Sequence, residues 1–185
     1  MVAEKTFDIK NIDEIFVLGS SISRVLNPNN IYPIDIKKII RAIGGIILYE
    51  SFDDKKTISK IKKLNDDFDD DDFNFQITLN SRNKSIENID LAVQLGNIFI
   101  QMGYYDDRWN DISPEYVDTI DTYEHAESIQ FALSFLMPTA EFYNAIKTFS
   151  ENREMKTDLS QVCKYFGVTL SDVVFYGRNL GVIKD

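Results

Sequence analysis

Apolar residues recur at every third or fourth position along most of this chain, the spacing that places them on one face of an α-helix. The segments that carry this spacing stop at Pro, Gly or Asn residues, which commonly end helices. The pattern predicts helices over residues 11–26, 33–43, 86–103, 123–137 and 139–150, with Thr139 as the N-cap of the last. Helices therefore account for most of the regular structure that the sequence predicts.

Two segments have a different pattern, which is typical of β-strands. Residues 46–50 form a short apolar, β-branched run, and residues 73–79 alternate between apolar and polar side chains. Residues 57–64 fit either a helix or a strand with a bulge, and the local pattern does not decide between them. Together these elements predict an α+β fold that is mainly helical and contains a small β-sheet.

The C-terminal residues 157–185 predict a pair of short helices separated by Gly167. This helix-turn-helix arrangement is shared with DNA-reading proteins. The second helix, however, offers only Arg178 as a cation beside Asp172, whereas a recognition helix usually carries several basic and amide groups. Structural packing is therefore the preferred interpretation of this pair, and DNA reading is the alternative.

The predicted helix over Ile86–Gly103 contains the spacing of a metallopeptidase motif at its centre. In a zinc peptidase with an HExxH motif, two histidines one helical turn apart bind the metal, and the glutamate between them is the general base. Here Val93, Gln94 and Asn97 stand in those places. Valine cannot bind a metal, an amide is a poor zinc ligand, and Gln94 cannot accept a proton. On these residues alone the segment reads as an ordinary apolar helix.

Length and composition limit the other possibilities. The 185 residues are enough for one domain with a sizeable core, and we predict a single domain over 1–185. The chain has one cysteine, Cys163, and one histidine, His125, which excludes a site built from several thiolates or imidazoles. No metal or cofactor is therefore expected. The sequence has no signal-peptide pattern and no apolar run long enough to span a bilayer, which predicts a cytoplasmic protein that does not enter a membrane.

The net charge of the chain indicates which class of partner is favoured. The formal net charge of -10 argues against nonspecific binding to nucleic acid and favours a basic partner. Much of this charge lies in one run that is interrupted only by Phe68, and its members are Asp66, Asp67, Asp69, Asp70, Asp71 and Asp72. The run can be a solvated loop, a contact surface for a basic partner or a metal loop, preferred in that order. The metal loop comes last because no glycine stands where an EF-hand would turn.

A second candidate contact surface is the polar stretch from Tyr104 to Thr122. It contains the only tryptophan, Trp109, and we predict it to be a long connection without regular structure. Connections of this length often bind partners. Trp109 is therefore predicted, with residues 66–72, to belong to the binding surface.

The order of these elements resembles that of the ImmA/IrrE family of metallopeptidases. An Ile-x-Leu-Asn turn at residues 77–80 precedes a helix of the form LAxxLGxxxI at 91–100, and a later helix ends in FALSFLMP at 131–138. The closing FGVTLSDVVFYGRNLGVI is similar to the family's terminal segment. The resemblance divides the predicted single domain into an N-terminal helix (1–30), a family-like core (31–150) and a C-terminal helical pair (151–185).

The resemblance also implies where a catalytic site would have been. The family's two histidine ligands fall on Val93 and Asn97, and its catalytic glutamate falls on Gln94. The third ligand, an acidic residue at the start of the following helix, corresponds to Glu127 or to the place held by His125. At most one of three metal ligands therefore remains, and the resemblance implies a retained fold without the family's catalysis.

Two other reactive side chains receive structural interpretations. His125 lies between Glu124 and Glu127 in the sequence and could be a relocated acid or base, but a lone histidine at a helix start is more often structural. Cys163 lies on the apolar stripe of its predicted helix, which favours a small buried hydrophobe over a nucleophile.

These observations lead to two functional hypotheses. Peptidases of the ImmA/IrrE family typically act on a repressor or regulator, often in phages and mobile elements. A member without catalytic residues is expected to bind and inhibit or regulate a basic protein partner, such as a repressor or a host nucleic-acid enzyme, without contacting nucleic acid itself. The alternative is an active peptidase or nuclease that uses His125 and nearby carboxylates.

Overall fold

The computed structural model describes residues 12–64, 73–80, 87–104, 106–120, 122–150 and 158–184. Asp66–Asp72 lies outside these described residues, as does Ile86. The described helices are α1 (Ile12–Leu26), α2 (Ile36–Ala42), α3 (Glu87–Gly96), α4 (Arg108–Asp111), α5 (Tyr123–Leu136), α6 (Thr139–Thr148), α7 (Leu159–Phe166) and α8 (Leu170–Asn179). The strands are β1 (Gly45–Glu50), β2 (Thr57–Lys63), β3 (Phe75–Asn80) and β4 (Glu115–Thr119). The fold is α+β and mainly helical, as predicted. None of the described helices is long and apolar enough to cross a membrane.

The strands form one mixed sheet in the order β1-β3-β2-β4. β1 runs parallel to β3, and β2 is antiparallel to both β3 and β4. The ambiguous segment is thus a strand, and its register with β4 shifts between Thr57 and Ser59, which is the irregularity expected of a bulge. Ser59 lies opposite Leu79 on one side and Asp118 on the other.

The helices stack in layers on one face of this sheet. α3 contacts the sheet through Gln94, whose side-chain oxygen accepts a hydrogen bond from Ser59 Oγ at 2.5 Å. α5 packs against the opposite side of α3, and α1 packs against α5. α5 is therefore a central element. Every residue from Phe131 through Leu136 is at most 1% exposed, including the polar Ser134.

The C-terminal helices belong to the same core. Gly167 ends α7 in the left-handed conformation, and Thr169 then caps α8, so the predicted helix-turn-helix pair is confirmed. The Tyr176 ring of α8 packs edge-on against Phe16 of α1 at 5.0 Å between centroids and against Phe142 of α6 at 5.1 Å. On its exposed side, α8 presents Leu170 and Phe175, which are 56% and 47% exposed. This apolar surface does not resemble a DNA-reading helix.

Two predicted helix starts are wrong. Pro33 is not helical: Asp35 starts α2 by accepting a hydrogen bond from the Lys38 N–H at 3.1 Å. Thr139 is the first residue of α6 and not its N-cap, because Pro138 holds that place and the Thr139 amide donates instead to Ser20 Oγ at 3.2 Å. These differences arise because tertiary and local hydrogen bonds compete for the same backbone amides.

The prediction that Tyr104–Thr122 lacks regular structure is also wrong, because this stretch contains α4 and the edge strand β4. Within β4 the alternation is short, and only Asp118 is fully buried. A buried aspartate is not the residue type that signals a strand. The pairing of β4 with β2 is what makes this segment regular.

The helix predicted over 86–103 changes its hydrogen bonding halfway. α3 ends at Gly96, and a π-helical turn follows over Asn97–Gln101, in which the Met102 amide bonds to the Asn97 carbonyl at 2.9 Å. The wider turn buries all five of its residues. π-Helical turns are rare and appear mostly as single turns within α-helices, frequently at functional sites.

Two glycines set the distances between the central helices. A Cβ atom on Gly19 of α1 would lie 2.7 Å from the Phe131 carbonyl oxygen of α5, and one on Gly96 of α3 would lie 2.9 Å from both Cα and the carbonyl oxygen of Ser128. Such distances are below van der Waals contact with backbone atoms that cannot move independently of α5. Glycine inside a helix is less favourable than alanine by about 1 kcal/mol. Both positions therefore have lower helix propensity but allow close packing of the helices.

We expect Gly96→Ala to lower the free energy of unfolding by about 2 kcal/mol, because the added methyl group must push α3 away from α5. Urea denaturation followed by circular dichroism measures this. The matched control is Gly177→Ala in α8, where the nearest atoms belong to the Ile183 side chain, which can rotate away. Equal stability of the two variants would contradict the close approach.

Candidate functional site

The positions that correspond to the catalytic motif lie at the junction of α3 and the π-turn, between the sheet and α5. Gln94 and Asn97 are 0% exposed, and Val93 is 5% exposed. Two amides are therefore fully buried in the centre of the molecule. Buried amides are costly unless hydrogen-bonded, so their partners decide what this place can do.

The partners form a closed network. Gln94 Oε1 accepts hydrogen bonds from Ser59 Oγ at 2.5 Å and from Asn97 Nδ2 at 3.0 Å. Asn97 Oδ1 in turn accepts from Ser128 Oγ on α5 at 2.6 Å. Gln94 Nε2 donates to Asp118 Oδ2 on β4 at 3.1 Å. The network therefore joins the sheet, α3 and α5 through side chains alone.

Asp118 extends the network toward solvent. Its side chain is 0% exposed, and its two oxygens lie 3.0 and 3.2 Å from His125 Nδ1 at the start of α5. The His125 side chain is 14% exposed. When Asp118 is ionised, Nδ1 must carry the proton, which leaves Nε2 as the ring nitrogen that can accept one.

Asp118 is the residue that the sequence interpretation missed. His125 was predicted to be flanked by Glu124 and Glu127, but its carboxylate partner in the structure is Asp118. The two neighbours in sequence are not its partners because successive residues of a helix point in different directions. The β-branched and aromatic residues Tyr116, Val117 and Thr119 favour a strand around Asp118, but the run does not alternate and is too short to identify one.

The one remaining candidate ligand, Glu127, has a separate partner. It is 9% exposed, and its Oε2 accepts a hydrogen bond from Gln101 Nε2 at 3.0 Å. Gln101 is the last residue of the π-turn, one helical turn beyond Asn97. Glu127 thus stabilises the end of this helix and is not linked by a side-chain hydrogen bond to Gln94 or Asn97 within the described part of the chain.

These residues do not fit a zinc ion. Val93 offers only carbon atoms, and the side-chain oxygens of Gln94 and Asn97 already accept hydrogen bonds from neutral donors. Among the residues that the structure describes, no group of three or more histidine, cysteine, aspartate or glutamate side chains is arranged to hold a metal ion. The donor set is one of amides and hydroxyls, which zinc does not favour.

The exposed end of the network is electrically negative. Burial raises the pKa of the Tyr116 phenol, and the carboxylates of Asp118, Glu124 and Glu127 raise it further. Tyr116 therefore remains a neutral phenol over the whole physiological range. Of these three carboxylates, only Glu124 is exposed, so the accessible part of this end is His125 beside one carboxylate.

The two predicted parts of the binding surface have different positions. Residues 66–72 lie outside the described residues, and their contribution stays a prediction. Trp109 is partly buried: its ring packs edge-on against Tyr104 at 4.8 Å between centroids and against Phe75 at 6.2 Å. Lys63 Nζ lies 4.9 Å from the centre of the same ring and donates to the Trp109 carbonyl oxygen. Trp109 thus anchors the connection to the core and leaves part of its ring for contact.

Cys163 is half-buried on α7, and burial raises the pKa of its thiol. A raised pKa reduces the thiolate fraction, which is the reactive form. This supports the packing role that the sequence suggested.

We expect Gln94→Met to lower the free energy of unfolding by about 3 kcal/mol, because Ser59, Asn97 and Asp118 each lose a buried hydrogen-bond partner. Thermal and urea denaturation measure the change. The matched control, Gln76→Met, removes a half-buried amide that donates to Thr78 Oγ1 at 3.0 Å and should cost less than about 1 kcal/mol. A similar cost for both variants would show that the network does not stabilise the core.

Comparison of the chain with protein-family models and with curated proteins finds no match. The resemblance to the ImmA/IrrE family therefore stays a prediction that depends on the sequence segments at 77–100, 127–138 and 166–183. The buried network is described by its own geometry and does not depend on that resemblance.

Proposed function

We propose that this protein is a catalytically inactive, metallopeptidase-like protein that binds and inhibits or regulates a basic macromolecular partner. The observation that carries the proposal is the closed network around Gln94 and Asn97. The side-chain oxygen and nitrogen of both residues each have a protein partner within 3.1 Å, and one amide proton of each residue lies outside the network. Such a site holds the fold together and has no free base or ligand for peptide hydrolysis at the motif position.

Retention of the fold without this chemistry supports a role in recognition. The two glycine contacts that pack α5 lower the helix propensity of α1 and α3. The scaffold that they hold together can position a binding surface without a reactive centre. In the resembling family the scaffold recognises a protein substrate. A protein partner is therefore the simplest function that such a fold can keep.

The distribution of charge supports a basic partner. In addition to the net charge of -10, the connection around Trp109 exposes the carboxylates of Asp106, Asp107, Asp111 and Glu115. Its cation, Arg108, is paired with Asp106 at 2.7 Å between Nη2 and Oδ2. Carboxylates that surround a partly exposed tryptophan are a common composition for a protein contact surface, with the aromatic ring as the anchor.

Two kinds of basic partner fit this surface. A repressor would present the basic surface with which it binds DNA, and a host nucleic-acid enzyme would present the groove that binds phosphates. In both cases the aspartates of 66–72 would occupy the place of phosphate charge. The protein would inhibit such a partner by competing with its nucleic acid, and it would have no need to contact nucleic acid itself.

Restoring the motif tests whether the scaffold is that of a metallopeptidase. We expect the combined variant Val93→His, Gln94→Glu and Asn97→His to hold about one zinc ion per chain by elemental analysis, with Glu127 as the third ligand. The natural protein should hold none. The matched control adds Glu127→Gln to the same variant and should bind zinc at least about tenfold more weakly. A folded variant that binds no more zinc than the natural protein would contradict the resemblance.

Partner binding tests the electrostatic part. Full-length protein should capture a basic protein from a lysate of its source, and the complex should weaken steeply as salt is raised, because surface charges are screened. Replacing the aspartates of 66–72 by asparagine should lower the affinity of the purified complex at least about tenfold. Neutralising Asp13, Glu14 and Asp53, which are exposed elsewhere, is the control and should have a smaller effect per charge. Equal effects would mean that net charge, not this run, determines binding.

A second function is favoured by one observation, the hydrogen bond between Asp118 and His125. A buried carboxylate that orients a partly exposed histidine is the usual arrangement of a general base. In this alternative, the protein is an enzyme, either a divergent peptidase or a nuclease. His125 Nε2 accepts a proton, and Glu124 or Glu127 assists. Cleavage of protein or RNA by purified protein, lost in both His125→Ala and Asp118→Asn while the fold is retained, would favour this alternative over an inactive binding protein.

A further inference from the structure

A cleft of about 560 Å³ lies between α2 and β1, at the edge of the sheet opposite to β4 and the buried network. One wall consists of Lys37, Lys38 and Arg41 on α2, and the other consists of Gly45, Ile46, Ile47 and Tyr49 on β1. All three cations are on exposed residues. The cleft therefore combines a basic wall and a strand with apolar and aromatic side chains.

The charge of this cleft is opposite to that of the whole protein. Three cations lie within five residues of α2, while the chain carries a net charge of -10. The one acidic residue that lines the cleft, Asp35, directs Oδ1 to the Lys38 amide at 3.1 Å as the cap of α2. Lys37 Nζ lies 5.9 Å from the centre of the Tyr49 ring, so one cation reaches across toward the strand. The positive charge of the cleft therefore comes from the α2 wall, and the Tyr49 ring of β1 lies near one of its cations.

β1 is an edge strand of the described sheet. Its inner side pairs with β3 from Gly45 through Glu50, and no other described strand pairs with its outer side. Leu48 and Tyr49 are each 41% exposed on it. The outer side of an edge strand presents alternating N–H and C=O groups, which an added strand can pair with.

We propose that the cleft binds an extended acidic segment of a partner protein, which adds to β1 as a further strand and directs its carboxylates to Lys37, Lys38 and Arg41. Backbone hydrogen bonds to β1 would give the segment its extended shape, and the cations would select its charge. Apolar residues of the segment would cover Leu48 or Tyr49. The ligand class is therefore an acidic peptide with apolar residues in alternation.

The edge strand is what favours a peptide over a nucleic acid. A nucleic acid strand cannot match the alternating donors and acceptors of β1, and its many phosphates would meet the acidic remainder of the surface. A short acidic segment is different because at physiological salt the Debye length is about 8 Å, so only charges inside the cleft act strongly on it. Three nearby cations then outweigh more distant carboxylates.

This binding goes beyond the proposed function, because it uses a different surface, the outer side of β1 with the cations of α2, and the opposite charge. The basic partner would be recognised by the acidic surface around Trp109, and the acidic segment by the cleft beside β1. The two can be lost independently, so variants of one surface test that surface alone.

The test is a fluorescence-anisotropy titration of the full chain with a labelled synthetic peptide of about eight residues that alternates glutamate and valine, the length that pairs with β1. We expect saturable binding, amide chemical-shift changes in nuclear magnetic resonance spectra that are concentrated in β1, and at least about tenfold weaker binding by the variant Lys37→Glu, Lys38→Glu, Arg41→Glu. The matched control reverses Lys147, Lys164 and Arg178, which are exposed on α6, α7 and α8, and should bind as the natural protein does.

A second arm separates strand addition from simple charge attraction. The same peptide with N-methyl groups on alternate residues keeps its charge but loses the donors that face β1, and it should bind at least about tenfold more weakly. An oligothymidylate of similar charge should not compete. Equal binding of the methylated peptide, equal loss in the two charge-reversal variants, or displacement by the oligonucleotide would each overturn the proposal. Circular dichroism of both variants confirms that they are folded.

Discussion

The close contact of α5 with two neighbouring helices is the constraint on which the rest of this structure depends. Gly19 of α1 and Gly96 of α3 let the backbone of α5 approach to distances that no side chain would permit. Ser128 thereby comes within hydrogen-bond reach of Asn97, at 2.6 Å between Oγ and Oδ1. The sheet is held on the other side of α3 by Ser59 and Gln94. One tight helix contact therefore sets the geometry of the whole polar centre.

That centre is a structural network, because its polar groups bond to one another inside the core. Its amides, hydroxyls and the buried Asp118 satisfy one another, and a buried polar group that loses its partner costs about 1–3 kcal/mol. Such a network fixes the relative positions of sheet and helices more specifically than apolar contacts do, because hydrogen bonds are directional. The oxygens of Gln94 and Asn97 accept hydrogen bonds from neutral donors, and a neutral amide is a poor metal ligand and cannot act as a base. His125, at the rim, is the one member with a nitrogen left over.

The surface is divided between two kinds of charge. The connection around Trp109 presents carboxylates, and the cleft beside β1 presents the cations of α2. The two proposed contacts therefore require ligands of opposite charge.

The sequence by itself determined the described helices other than α4, two of the strands and the pairing of the C-terminal helices, because these follow from local periodicity and side-chain chemistry. It did not determine β4, the strand character of 57–64, the π-turn after Gly96 or the partner of His125. Those depend on contacts between residues far apart in the chain: β4 is a strand because it pairs with β2, and Asp118 meets Gln94 and His125 only after the sheet has packed on α3 and α5. Local pattern can identify a polar residue, but only the tertiary structure decides which partner satisfies it when it is buried.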